Sequence, residues 1–422
     1  MVAHGILPAI PRADPYSFTA TGHEWVVQSW FAEAAVGWAH RLGGEHAVTL
    51  MCGLAMGGLA WLVASLARTG RPARTAVAAG AALLVGVPLW APRPLLAGLL
   101  CLGLTVLVVE RSWSPWWLVP IVWVWVNSHG SFPLGLAWLL VVAAGAWIDD
   151  RTLGDLPRYL VGFGVGLAAA AVNPLGPKML SFPLTALSKR EVFSRVVEWK
   201  SPDFHGAEGT VILVGLAVSF AVVVRARLAW RDVLPVALFL ALGLLAERNL
   251  TVLSIVLAPV LGRALCTDVP RQPMDAGLFR SVTVAMTLAA VVVGVVAVQE
   301  PLVDASTYPV QAVRWLEDHH RFAAPHRVVT EDTAANYLEL LHGPRAEVFI
   351  DDRVDMFPLE VTRDYLAMLD GTDRGIAALD RWKADTVLWR SEEPLAQRLV
   401  AEGEWAVAVR RAAWVVLVRR AD

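Results

Sequence analysis

Residues 114–148 run SPWWLVPIVWVWVNSHGSFPLGLAWLLVVAAGAWI, an apolar tract broken once, at Asn127-Ser128-His129-Gly130-Ser131. As one helix it would extend roughly 50 Å at about 1.5 Å per residue, too long for a single membrane crossing. The break divides it into two short arms, and the span count turns on whether both arms cross. Apolar stretches at 46–67, 74–90, 94–110, 157–173, 209–225, 232–246, 249–265 and 281–298 flank it on either side. Each approaches the roughly 20 residues that a spanning helix needs, some of them falling short. The fold class predicted is an α-helical polytopic membrane protein of about ten spans, with a soluble α/β domain at its C-terminus.

Composition agrees: 56% of the 422 residues are hydrophobic and only 18% charged, which excludes an ordinary set of soluble domains. The net charge of −2 conceals a division, since residues 1–298 hold 21 Lys/Arg against 16 Asp/Glu and residues 299–422 hold 15 against 22. No part is basic enough to call for a nucleic-acid partner, and the first 25 residues contain no long apolar run of the kind found in a cleavable signal peptide. Cys52, Cys101 and Cys266 lie in or beside apolar spans without metal-ligand spacing, and read as small buried hydrophobes.

Orientation follows from the cations in the loops. With both arms crossing, 12 of the 21 cations of the membrane body fall on one side, from Arg68, Arg71 and Arg74 through Arg111, Arg151, Arg158, Arg225, Arg227, Arg231 and Arg263 to Arg271 and Arg280. That side is cytoplasmic by the positive-inside rule. The N-terminus, the break at 127–131, the polar loop 174–208, the Glu247-Arg248-Asn249 turn and the acidic tail then share the extracytoplasmic side of a plasma membrane.

Three parts follow. Residues 1–45 form an extracytoplasmic segment with an amphipathic helix, 46–298 the membrane body, and 299–422 the α/β domain. In the last, strands are expected at Arg327-Val328-Val329, Glu347–Ile350 and Thr386–Trp389, with a closing hairpin of Trp405–Val409 and Trp414–Val418. Helical periodicity marks Tyr308–His320, Asp332–His342 and further stretches between the strands.

Four polar groups are candidates for chemistry. Asn127 and His129 interrupt an apolar stretch, which fits either a pocket at membrane depth or a tight turn between two spans. The loop from Asn173-Pro174-Leu175-Gly176 to Glu198-Trp199-Lys200-Ser201-Pro202-Asp203-Phe204 mixes Lys178, Lys189, Arg190, Arg195 and Lys200 with apolar residues, as a segment lying in the headgroup layer does. Arg248 can offer paired donors to a lipid phosphate, or be neutralised by Glu247 next to it. Asp351, Asp352, Arg353 and Asp355 follow an expected strand, where α/β domains place ligands, or form a solvated turn.

In order along the chain, these pieces resemble a bacterial branch of the GT-C superfamily, the multispanning glycosyltransferases similar to dolichyl-phosphate-mannose protein mannosyltransferases. The resemblance rests on Gly5-Ile6-Leu7-Pro8, Asp14-Pro15-Tyr16-Ser17-Phe18-Thr19 with Gly22 and Trp25, Trp30-Phe31-Ala32-Glu33 and Arg41-Leu42-Gly43-Gly44. It continues through Asn127-Ser128-His129-Gly130, Asn173-Pro174-Leu175-Gly176, the Glu198–Phe204 stretch, Glu247-Arg248-Asn249, Asn336-Tyr337-Leu338 and Ile350-Asp351-Asp352-Arg353.

The resemblance implies transfer of a sugar from a polyprenyl-phosphate donor to an acceptor on the extracytoplasmic face, with inversion at the anomeric carbon. Such chemistry needs a carboxylate to take the acceptor's proton and cations for the departing phosphate. Asp14 and Glu33 are the expected catalytic acids, with Glu24 in the same segment. Arg248, Lys200 and Lys178 are the expected phosphate ligands, and Asn127, His129, Asn173, Glu198 and Asp203 the pocket. Asp351 and Arg353 mark a site in the C-terminal domain. The implied partners are the lipid bilayer, the lipid-linked sugar and an acceptor. No cofactor is read from the residues, and a divalent cation is the one left open. Relatives carry a further span and an acidic, Trp/His-rich segment ahead of the stretch matching Gly5, so a truncated N-terminus is expected. Two other classes stand beside the enzyme: a catalytically silent membrane protein with a C-terminal binding module, and a transporter, whose sites are often built from broken helices.

Overall fold

The computed structural model describes residues 10–189, 197–266, 307–323 and 326–420. Among the described residues, ten α-helices precede the C-terminal domain: α1 (Trp30–Leu66), α2 (Pro72–Gly86), α3 (Leu95–Glu110), α4 (Leu118–Ser128), α5 (Pro133–Asp150), α6 (Leu156–Ala170), α7 (Lys178–Ser188), α8 (Ala207–Val223), α9 (Trp230–Leu245) and α10 (Leu250–Leu265). Segments Trp30–Leu66, Pro72–Leu89, Pro133–Asp150 and Glu247–Leu265 are long and apolar enough to cross a membrane. Leu95–Glu110, Leu156–Ala170 and Ala207–Val223 are apolar but shorter. The expected span at 281–298 lies outside the described residues.

Apart from α7, these helices run alternately between two ends of a bundle. At the base, Arg263 of α10 donates to Glu110 of α3 and Asp232 of α9, both at 2.5 Å. Also at the base, the Asp149 carboxylate of α5 accepts the Trp230 and Arg231 amides at 2.9 and 3.0 Å. At the opposite end, the crown, Trp30 Nε1 of α1 donates to Asn127 Oδ1 of α4 at 2.8 Å, and Trp123 Nε1 donates to the Val172 carbonyl at 3.1 Å. Both arms of the 114–148 tract therefore traverse the bundle, α4 from base to crown and α5 back again. The arginines from Arg68 to Arg263 named in the orientation argument sit at the base.

Burial follows composition. In α10 every residue from Leu250 to Gly262 is buried, as expected of a helix apolar on all sides. In α1 only the last turns are buried, at Leu59, Leu62, Val63 and Leu66, so this helix is peripheral. It starts sixteen residues before the apolar run at 46 and bends at Gly43-Gly44. Gly44 has φ 61° and ψ −150°, a region that only glycine occupies without strain. Gly145 permits a close crossing: a side chain there would strike the backbone of Arg231.

The C-terminal domain contains α11 (Val310–Asp318), β1 (Val328–Thr330), α12 (Asp332–His342), α13 (Leu359–Leu369), α14 (Asp373–Arg381), β2 (Thr386–Arg390), α15 (Pro394–Glu402), β3 (Trp405–Arg411) and β4 (Trp414–Arg419). Its sheet has the order β1-β2-β4-β3, with β1 parallel to β2 and the other pairs antiparallel. Val329 lies opposite Val387, and Val387 opposite Leu417, which sets one apolar face.

The strand expected at Glu347–Ile350 is not part of this sheet. Glu347 has φ 43°, which breaks the extended run, and Val348 instead makes a single parallel bridge to Ser17. There Phe18 N donates to Val348 O and Val348 N donates to Tyr16 O, both at 3.0 Å. Tyr16, Ala20, Trp25 and Val27 are buried in the same cluster as Phe349, Phe357, Leu379, Val387, Trp389 and Leu417. The N-terminal arm, residues 10–29, thus supplies part of the C-terminal domain's core.

Candidate functional site

The crown gathers most of the polar residues singled out in the sequence. Glu247-Arg248-Asn249 forms one 3-10 turn between α9 and α10. The Glu247 amide donates to Lys200 O at 2.9 Å and Asn249 Nδ2 donates to Leu242 O at 3.0 Å, which pins the turn to the 197–206 loop and to the end of α9. The half-buried Arg248 guanidinium lies 3.9 Å above the Trp199 ring, a stacking geometry that favours arginine. It makes no ion pair among the described residues.

Glu247 does not neutralise Arg248. It lies in the field of Glu198, Glu208 and Asp203, all of its own sign. Glu198 is ion-paired with Arg93, at the entry to α3. His129 lies close enough for the charge of Arg248 to act on it. Lys200 is exposed beside Trp199. A guanidinium with a free donor fork, backed by an aromatic face, is suited to a phosphate or another oxyanion.

A second cluster joins the arm to the C-terminal domain. The Arg353 guanidinium sits between two aromatic rings, 4.7 Å from the Tyr16 centroid and 4.5 Å from that of Trp25. Three carboxylates surround it: Asp351 through Nε at 2.8 Å and again through Nη2, Asp14 through Nη1 at 2.9 Å, and Glu339 through Nη2 at 3.3 Å. The Asp14 side chain is wholly buried and also accepts the Tyr16 amide at 3.1 Å and the Ser17 amide at 2.9 Å. Burial, the nearby charge of Asp351 and a hydrogen bond to it push the Glu339 carboxyl up to about 9, so this acid keeps its proton at neutral pH. Burial and the charge of Glu339 raise the Tyr16 hydroxyl to about 12.

A divalent cation does not fit here, because Arg353 occupies the centre of the carboxylates. Among the described residues no group of three or more His, Cys, Asp or Glu side chains could hold a metal ion. Behind the cluster, Lys189 crosses from the 173–206 loop to donate to Asp355 O and, at 2.8 Å, to Phe357 O. Burial raises the Asp355 carboxyl to about 6.

The remaining expected residues fall around these two clusters. The break at 127–131 is a bonded turn: Asn127 accepts from Trp30 and donates to Trp123 O at 2.8 Å, and Gly130 N donates to Gln28 Oε1 at 2.9 Å. Trp125 Nε1 donates to Ser131 Oγ at 3.0 Å, and Ser131 N to His129 Nδ1 at 3.2 Å. Asn173 closes its own turn, taking the Leu175 amide at 2.7 Å and donating to Ala170 O and Gly176 O. Lys178 pairs with Glu24, and both line a cleft of about 310 Å³ with Arg12, Trp25 and Asn173. Asp203 is exposed and bound to His205. Glu33, half-buried in the first turn of α1, accepts the Ser29 hydroxyl at 2.6 Å. Arg190 and Arg195 lie outside the described residues.

Three participants were not singled out in the sequence: Arg93, Glu339 and Lys189 as a backbone clamp. Arg93 had one available signal, being the lone cation in a short loop between two apolar stretches. Glu339 follows Asn336-Tyr337-Leu338 directly, yet nothing local distinguishes it from any solvated helical glutamate. The chain matches no protein-family model, and no curated protein matches it.

Proposed function

We propose that the protein is a multi-pass membrane glycosyltransferase of the GT-C kind, transferring a sugar from a polyprenyl-phosphate carrier to an acceptor. It would reside in the plasma membrane with about ten spans, and the crown and C-terminal domain would face away from the cytoplasm. One observation carries this reading: the half-buried Arg248 fork, stacked on Trp199 and free of carboxylate partners among the described residues. The arginine-rich base supports the orientation.

In this reading the acceptor hydroxyl attacks the anomeric carbon as its bond to the phosphate oxygen breaks. Arg248 and Lys200 stabilise the departing lipid phosphate, and Glu33 takes the hydroxyl proton. Asp14 is a poorer base than Glu33, since its carboxylate is sealed and committed to Arg353 and to two backbone amides. Membranes containing the protein, supplied with radiolabelled polyprenyl-phosphate sugar, are expected to show transfer that Glu33→Gln and Arg248→Gln each reduce by about a hundredfold. Native-level transfer in both variants would refute the assignment.

A catalytically silent member of the same fold is the second reading, favoured by the engagement of Asp14. Retention of carrier binding in membranes that show no transfer to any acceptor would select it.

A further inference from the structure

Glu198 stands between two arginines. Its chain neighbour Trp199 lies beneath Arg248, and its own charge acts on Arg248. Yet its carboxylate is ion-paired with Arg93. Both backbones are fixed: Arg93 N donates to Ala91 O at 2.7 Å just before α3, and the loop bearing Glu198 is held by the Glu247–Lys200 hydrogen bond at 2.9 Å. The choice of partner therefore rests with the side chains.

Electrostatics alone would send Glu198 the other way. Arg93 is 60% exposed and well solvated, whereas Arg248 is half-buried and the costlier cation to leave unpaired. A carboxylate on Arg248 would fill the donor fork that an incoming phosphate needs. We propose that Arg93 is a positioning residue that holds Glu198 off Arg248 and so keeps the Arg248 fork open for the phosphate monoester of a lipid carrier. This inference rests on the phosphate role of Arg248 given above.

The test is equilibrium binding of radiolabelled farnesyl phosphate to the full chain in phosphatidylcholine nanodiscs. Arg248→Gln is expected to abolish binding, and failure to do so overturns the phosphate role itself. With that role intact, Arg93→Gln is expected to weaken binding about fivefold, the upper range for an exposed ion pair. Glu198→Gln alone is expected to bind as tightly as the native protein, and the double variant R93Q/E198Q is expected to regain native affinity. Native binding by R93Q, weakened binding by E198Q or failure of the double variant to recover each overturns the positioning role. Phosphatidylglycerol added to the discs is expected to compete poorly, and competition equal to that of farnesyl phosphate overturns the choice of a monoester over a lipid headgroup.

Discussion

Arg353 Nη1 donates to Asp14 Oδ1 at 2.9 Å, a contact that joins positions 339 residues apart and ties the N-terminal arm to the C-terminal domain. The pair is closed to solvent on the Asp14 side and covered by Tyr16 and Trp25 on the faces of the guanidinium. Two motifs that are separate and individually weak in the sequence are one device in the fold.

Removing one partner of a buried ion pair leaves the other uncompensated, at a cost of about 3–5 kcal/mol. Asp14→Ala is expected near the lower end, because Arg353 keeps the Asp351 carboxylate. Arg353→Ala is expected to cost more, since it strands Asp14 and Asp351 together in a dry site. Thermal unfolding of the purified protein ranks the two, and midpoints equal to that of the native protein would show that the contact contributes nothing.

Glu339 gives the same cluster a pH dependence. Its folded carboxyl titrates at about 9 against an ordinary 4.5, so the folded state holds a proton that the unfolded chain releases over that interval. Stability contributed by this group is complete below the lower value and declines as pH rises towards the upper one, with a slope of up to about 1.4 kcal/mol per pH unit. Glu339→Gln keeps a donor and cannot ionise, so its stability curve is expected to be flatter between pH 5 and 9. A native slope unchanged by the substitution would place the retained proton elsewhere.

The bend in α1 offers a backbone test. Nothing lies within 4 Å of where a Gly44 side chain would point, so Gly44→Ala meets no clash and only the conformation opposes it. The expected cost is about 1–3 kcal/mol, or a straightened helix that carries Trp38 and Leu42 away from their present position. Unfolding midpoints and the spin-label distance between positions 36 and 50 separate the two outcomes from no effect.

Legibility in the sequence divided along physical lines. The apolar helices could be read because burial, in lipid or in a helix core, demands long apolar runs whatever the neighbours are. Thr386–Arg390 and the hairpin of Trp405–Arg411 and Trp414–Arg419 could be read because their partners are close in the chain or strongly apolar. Glu347–Ile350 has the local pattern of a sheet strand, but Val348 bridges to the Tyr16–Phe18 stretch, more than three hundred residues away, and local pattern carries no trace of it. The same reason hid Glu339 and Arg93. A carboxylate in a helix and a cation in a loop look ordinary until Arg353 and Glu198 are placed beside them. Asp14 was legible as a residue set apart and not as what it touches.

That division bears on whether the C-terminal domain is a unit. Residues 307–420 have the size of an independent domain, but Tyr16, Trp25 and Val27 are buried among its side chains, and Arg353 finds one carboxylate and both aromatic faces in the arm. Without the arm, the apolar face beneath Phe349 and Phe357 is uncovered, and each large side chain so exposed forfeits about 1.5–3 kcal/mol. A domain is stable by only about 5–15 kcal/mol, so losing two aromatics and their ion pair removes most of that margin. The fragment 307–420 expressed alone is therefore expected to lack a cooperative unfolding transition and to expose apolar surface to a fluorescent dye. A synthetic peptide of residues 10–29 added in trans is expected to restore the transition, whereas the same peptide with Asp14→Ala and Trp25→Ala is expected not to. Cooperative unfolding of the fragment without any peptide would mean that the arm decorates the domain and does not complete it.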